Sequence, residues 1–247
     1  VIDFHSHLDL YPDGLALARE VNRRNDFTLV VTTSPRAYYG TSRVFSGLKN
    51  IHVGLGLHPE VAEAKVVELE ALLAGIKGAR FVGEVGLDGL PRFRKSLELQ
   101  ERIFRAVLEE CRRQGGRIIS IHSRGAVQRT IEALAAVSDV GIPVLHWFSG
   151  GVAELRTASR LGCWFSVGPA MLAGEKSRGL LSHMPLDSVL PETDGPFTTE
   201  RGVALKPWDA WGVCSTLSEV WAMPREAVEE QLRSNLRRLL LNLANED

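Results

Sequence analysis

The sequence predicts an α/β protein folded as a single (β/α)8 barrel. Two observations predict it. Eight short runs rich in Val and Ile alternate with longer amphipathic runs, and the chain has 247 residues, close to the ~250 typical of one barrel. A doubly wound open sheet shares this alternation, and periodicity alone does not separate the two. The strand-like runs are 1–7, Thr28–Thr33, Ile51–His58, Arg80–Asp88, Arg117–Ser123, Ile142–Phe148, Cys163–Gly168 and Ser188–Asp194. Between them, residues 96–113 place Leu97, Ile103, Phe104, Val107 and Leu108 at helical spacing. The stretches 59–77, 125–137 and 152–161 read as helices too, and 225–243 forms a closing helix. Linkers, repeats and low-complexity segments are absent, so 1–247 is expected to be one domain.

Composition narrows the function. Hydrophobic residues make up 45% and charged residues 24%, ordinary values for a water-soluble chain with a sizeable core. The 29 basic and 30 acidic side chains give a net charge of −1, which excludes a protein that coats duplex nucleic acid by bulk charge. A local pocket that takes its positive charge from metal ions remains open. Cys111, Cys163 and Cys214 are far apart and odd in number, the usage of free thiols in a reducing compartment. The chain enters its first strand pattern directly, and its apolar runs are shorter than the ~18 residues of a membrane helix. A cytoplasmic enzyme without membrane contact is the expectation.

The opening run, Ile-Asp-Phe-His-Ser-His over residues 2–7, carries three polar groups on one strand face: Asp3, His5 and His7. Taken alone, they are either metal ligands or hydrogen-bonded core groups. The other strand ends decide. His58, Glu84, His122, His146 and Asp194 all fall at or near C-terminal ends, which in a barrel converge on one rim. Five of the seven histidines therefore share that rim with two carboxylates; His52 lies early in its strand and His183 lies elsewhere. Imidazole and carboxylate together suit Zn²⁺, Mn²⁺, Fe²⁺ or Mg²⁺, and the set is too large for one tetrahedral ion. A two-metal cluster would use all of it.

Six motifs then occur in order: His5-Ser-His7, Gly56-Leu-His58-Pro59, Gly83-Glu84-Val-Gly-Leu-Asp88, Ile121-His122-Ser-Arg124, His146-Trp-Phe-Ser-Gly150 and Glu192-Thr-Asp194-Gly-Pro196. Together they resemble the TatD family of metal-dependent deoxyribonucleases, among the amidohydrolase-like barrels. The resemblance runs from residue 2 to about 197 and resumes in Asn235-Leu-Arg-Arg-Leu239. The wording of 163–171 and 191–197 further resembles TatD-like proteins of Qat-type anti-phage defence systems. That narrower likeness implies partners, an ATPase and a QueC-like enzyme.

The family resemblance implies roles by position. His5, His7 and Asp194 would hold one divalent ion, His122 and His146 a second, and Glu84 would bridge them. The ions would be Mg²⁺, Mn²⁺ or Zn²⁺. A water between them would attack phosphorus, with Asp194 orienting it and accepting its proton. His58 would stand near the scissile phosphate. Arg124 either clamps phosphate or pairs with a surface carboxylate. Trp147 would stack on an unpaired base, whereas Phe148 is expected in the core. Asp3 is expected to orient a ligand imidazole, and Glu192 either does the same or pairs with a buried base. The implied substrate is DNA, as single strands or frayed ends.

The chain also departs from the family pattern. Gly89 replaces the usual aromatic after Gly-Leu-Asp, and Lys206-Pro-Trp-Asp209 replaces an Arg-Asn-Glu-Pro element. Trp208 and Trp211, three apart in the divergent 198–213 loop, are expected to face the core. Two other readings stand beside the nuclease: a hydrolase of small amides, lactones or phosphoesters on the same metals, and a scaffold subunit of a defence complex.

Overall fold

The computed structural model describes residues 1–241. Eight parallel strands follow one another around the sheet: β1 (Ile2–Ser6), β2 (Phe27–Val31), β3 (Ile51–Gly54), β4 (Phe81–Gly86), β5 (Arg117–His122), β6 (Gly141–His146), β7 (Trp164–Val167) and β8 (Val189–Pro191). The ladder runs unbroken over β1–β3 and over β4–β8, and a parallel bridge from Leu55 to Val82 joins the two parts. The last seam, β8 to β1, closes beyond the strand ends. There Asp194 N–H donates to the His5 carbonyl at 2.9 Å, and His7 N–H donates to the Gly195 carbonyl at 2.8 Å. The sheet is thus the predicted (β/α)8 barrel.

The helices are α1 (Gly14–Arg24), α2 (Pro35–Val44), α3 (Ala62–Lys65), α4 (Leu69–Ile76), α5 (Leu97–Arg113), α6 (Val127–Ala135), α7 (Val152–Arg160), α8 (Pro169–Leu172), α9 (Glu175–Leu181), α10 (Val213–Trp221) and α11 (Arg225–Leu241). Positions 242 and 243 of the expected closing helix lie outside the described residues. None of the described helices is long and apolar enough to cross a membrane.

Strand alternation sorts the core into two layers. Ile119, Ile121, Leu145, Phe165, Val167 and Val189 pack with Phe104, Val107 and Leu108 of α5. The intervening face carries Ile118, Val144, Trp164 and Leu190, which pack with Leu236 and Leu239 of α11. Two residues further along the same face come Ser120, His146, Ser166 and Glu192, all buried. Each of these strands therefore lays an apolar floor first and a polar group above it.

Two expectations need correction. The single helix over 59–77 is instead a 3-10 turn at Pro59–Val61, α3, a second 3-10 turn at Val66–Glu68, and α4. Proline after His58 and the β-branched pair Val66–Val67 favour short turns over one continuous helix. The strand over Ile51–His58 ends at Gly54. Beyond it the chain crosses so close to its neighbours that a Cβ on Gly56 would lie 2.1 Å from the Thr32 carbonyl. The 198–213 loop forms a small antiparallel hairpin, β9 (Thr199–Glu200) with β10 (Val203–Ala204), then a 3-10 turn over Pro207–Gly212. On that turn Trp208 and Trp211 are half-buried and pack against the core, as expected. The Arg24 guanidinium stacks 3.7 Å from the Trp208 ring, and Arg233 lies 5.4 Å from that of Trp211. Phe148 is fully buried, as expected, and the three cysteines are buried and unpaired.

Candidate metal centre

Glu84 stands at the centre of the rim, buried at the upper end of β4. Its two oxygens face different partners. Oε2 lies 3.4 Å from His5 Nε2 and 3.2 Å from His7 Nε2. Oε1 lies 2.7 Å from His122 Nδ1 and 3.3 Å from His58 Nε2. Asp194 closes the other side: Oδ1 is 3.7 Å from both His5 Nε2 and His7 Nε2, and Oδ2 is 3.9 Å from His146 Nε2. The rings of His5 and His146 stack at 3.7 Å. All six residues expected as metal ligands are therefore brought together.

Their grouping differs in detail from the expected pairs. His122 shares a cluster with Glu84 and His58, whereas His146 shares one with His5 and Glu192. His58, expected only near the substrate, is as close to Glu84 as the ligand histidines are. It sits on the turn after β3, where Glu60 N–H donates to its Nδ1 at 3.1 Å. That leaves the neutral ring with its proton on Nε2, facing Glu84.

Other polar groups hold these rings. His5 Nδ1 meets Ser120 Oγ at 2.8 Å, His122 Nε2 meets Asp88 Oδ2 at 2.9 Å, and His146 Nδ1 meets Glu192 Oε2 at 2.9 Å. Glu192 thus orients an imidazole, one of its two expected roles. Asp3 does not, contrary to expectation. Its carboxylate takes the backbone N–H groups of His5 and Thr193 at 3.2 and 3.0 Å and the Thr193 hydroxyl at 2.6 Å. It pins the β1–β8 seam instead. Sequence reasoning gave Ser120 and Asp88 no role. Ser120 was findable, because it lies two residues before His122 on the same strand face; Asp88 offered only a carboxylate four residues past Glu84.

The electrostatics follow from burial and pairing. Burial opposes charge on Glu84, but His58, His5 and His122 outweigh it and hold the carboxyl well below its usual range. Burial likewise opposes a proton on His122, yet Asp88 and Glu84 push its pKa up to about 9. Against the same burial penalty, Glu192 and Asp194 push His146 up to about 10. His5 moves the other way, lowered by burial and by its neighbour His146.

The donor set fits divalent metal. His5 Nε2 and Glu84 Oε2 are buried and have no hydrogen-bond partner, a costly arrangement unless something else satisfies them. The ligand atoms of His5, His7 and Glu84 lie within 4.8 Å of one another. Two nitrogen-rich groups sharing Glu84, and a third built on Glu192, match the chemistry of Zn²⁺, Mn²⁺ or Mg²⁺ sites.

The rim opens to solvent through two lobes that share His122, His146, Asp194, Arg124 and Phe197. One, of about 490 Å³, reaches Thr33, His58, Glu60 and Arg92; the other, of about 360 Å³, reaches Trp147, Ser149 and Thr198. Arg124 is exposed and, among the described residues, makes no ion pair, so the surface-bridge reading is not met. Trp147 is half-buried with φ of 41°, and its N–H donates to Glu192 Oε1 at 3.2 Å. Asp194 also has positive φ, 56°, so both residues hold strained backbone at the rim.

A barrel whose rim gathers these imidazoles and carboxylates around one shared glutamate defines a metal-dependent hydrolase. The chain belongs to the TatD-related DNase family, whose model matches residues 2–241. It is 27% identical to Deoxyribonuclease TATDN3 of Homo sapiens over 201 residues, covering 78% of this chain and 73% of that protein. It is 33% identical over 161 residues to the 3'-5' ssDNA/RNA exonuclease TatD of Edwardsiella piscicida, covering 62% of this chain and 60% of that one. The crystal structure of YjjV, a TatD homologue from Escherichia coli, superposes with a TM-score of 0.85 at 24% identity, covering 96% of both chains. That last likeness establishes the fold.

Proposed function

We propose that the protein is a deoxyribonuclease that hydrolyses phosphodiester bonds at unpaired DNA ends with two divalent cations. The observation that carries this reading is Glu84, which offers one oxygen to His5 and His7 and the other to His122 and His58. His5, His7 and Asp194 would hold one ion, His122 and His146 the other, and Glu84 would be common to both. When bound, such a pair lowers the pKa of a water between them and polarises the phosphoryl oxygens. Asp194, partly open to solvent on the cavity side, would orient a water supplied by that pair and accept its proton. His58, which lines the larger lobe beside Glu84, would stand near the scissile phosphate. Arg124, which makes no ion pair among the described residues, would fork onto the non-bridging oxygens, and Trp147 would stack on a base. Asp88, Ser120 and Glu192 keep the ligand rings in register. The printed names of the human and Edwardsiella relatives support DNA or RNA as the polymer.

The test is cleavage of 3′-labelled and 5′-labelled single-stranded DNA with Mg²⁺, Mn²⁺ or Zn²⁺, with EDTA, and with Glu84→Ala. Metal-dependent cleavage lost in the variant is expected, and the label pattern gives its direction. Intact DNA under every condition, beside turnover of a lactone or small phosphoester, overturns the reading. A narrower role in Qat-type anti-phage defence, beside an ATPase and a QueC-like enzyme, rests on the wording of 163–171 and 191–197. Co-purification with such proteins tests it.

A further inference from the structure

Phe197 is out of place for a core residue. Its side chain is 64% exposed, yet it lies on a turn fixed at every step. Thr198 Oγ1 donates to the Thr193 carbonyl at 2.6 Å, and Gly195 N–H donates to Thr193 Oγ1 at 3.2 Å. Phe197 N–H donates to the Asp194 carbonyl at 3.0 Å. The same turn thus presents the Asp194 carboxylate and the bare phenyl together. The phenyl meets the His7 ring edge-on at 5.0 Å, beside the metal centre.

The 360 Å³ lobe that Phe197 lines also has Trp147 in its wall, with the hydroxyl groups of Ser123, Ser149 and Thr198 and the guanidinium of Arg124. Apart from Asp194 it contains no carboxylate, unlike the other lobe, where Glu60 pairs with Arg92 at 2.9 Å. Ser123 is 2% exposed and its Oγ has no partner. The lobe therefore combines two aromatic faces, a free cation and an unsatisfied buried hydroxyl. Its volume falls at the small end of ligand pockets, which span about 300 to 1,000 Å³. Aromatic faces accept any base, and a guanidinium beside them takes the adjoining phosphate.

We propose that this lobe is a nucleotide subsite, in which Phe197 and Trp147 hold one unpaired terminal base while Arg124 and Ser123 hold its phosphate. The inference rests on the nuclease reading and deepens it: the substrate is selected as a base-bearing nucleotide, not as any phosphodiester. Because Phe197 is already fixed, binding does not have to order it.

The test compares two single-stranded oligonucleotides that differ only in the terminal nucleotide, one normal and one with an abasic tetrahydrofuran. The wild-type protein, Phe197→Ala and Phe197→Trp are assayed, each with its metal content measured. Stacking of one base predicts a roughly tenfold or greater preference of kcat/KM for the normal end. Phe197→Ala should abolish that preference, and Phe197→Trp should restore it. A phenyl that merely shields His7 would instead slow both substrates alike on Phe197→Ala. That result, or equal rates on both ends with wild-type protein, overturns the subsite and leaves the nuclease standing. A second readout needs no turnover: quenching of a terminal 2-aminopurine on binding in EDTA. Quenching that Phe197→Ala removes supports the subsite even if the nuclease reading fails, and quenching unchanged by the variant overturns it.

Discussion

Asp88 carries more of the metal centre than its silence in the sequence implies. It receives Leu90 N–H at 2.8 Å on one oxygen and grips His122 with the other. Outer partners of ligand histidines typically control ~10- to 100-fold in metal affinity, and Asp88→Asn should show a loss of that size by isothermal titration. The same pairing sets a pH dependence. In the metal-free protein His122 and His146 have pKa values raised to about 9 and about 10, from an ordinary value near 6.5. Their stabilising contribution is thus complete below that ordinary value and is lost as pH rises through the raised ones. Thermal unfolding in EDTA should therefore shift to lower temperature between pH 7 and 10. Metal must displace these protons, so affinity should climb over the same interval. The clustered histidines themselves were legible at strand ends. Their holders were not, since a serine or aspartate on a strand is common and only the neighbouring strand shows what it touches.

Among the elements, the β8–β1 seam departs most from a regular barrel. Two backbone hydrogen bonds and the Asp3–Thr193 contacts join it where a ladder would otherwise run. Thr193→Val strips the hydroxyl from a buried carboxylate, a change of about 1–3 kcal/mol. In a chain of this size each kcal/mol lowers Tm by roughly 2–4 °C, which differential scanning fluorimetry will resolve. Asp194 lies one residue away, so the variant should also lose metal affinity. The sequence made the eight strands plain, because each is a short, buried, β-branched run. It hid the breaks at Gly54 and within 59–77. The first depends on how closely β3 approaches β4, a contact between distant segments that local periodicity does not encode, and the second on Pro59 and Val66–Val67, which the spacing of apolar residues overlooks.

At the scale of the whole molecule, a net charge of −1 gives no long-range attraction for a polyanion. Under the proposed nuclease reading, nucleic acid would be held by groups at the rim, chiefly Arg124. For single strands each phosphate contact contributes about −0.7 to the slope of log affinity against log salt. The protein should show a shallow slope near that value, and Arg124→Ala should flatten it, as measured by anisotropy across a salt series. Alternation and length were enough to place the barrel, since both are properties of the chain as a whole. The two lobes were not foreseeable, because they lie between loops whose paths the sequence leaves open.

A Cβ on Gly89 would lie 2.1 Å from the Gly125 carbonyl. Its N–H donates to the Arg124 carbonyl at 2.8 Å, so the loop after His122 rests directly on bare backbone. Any side chain at position 89 would push the Arg124 loop off its seat, so the bare backbone of Gly89 fixes where that guanidinium meets the rim.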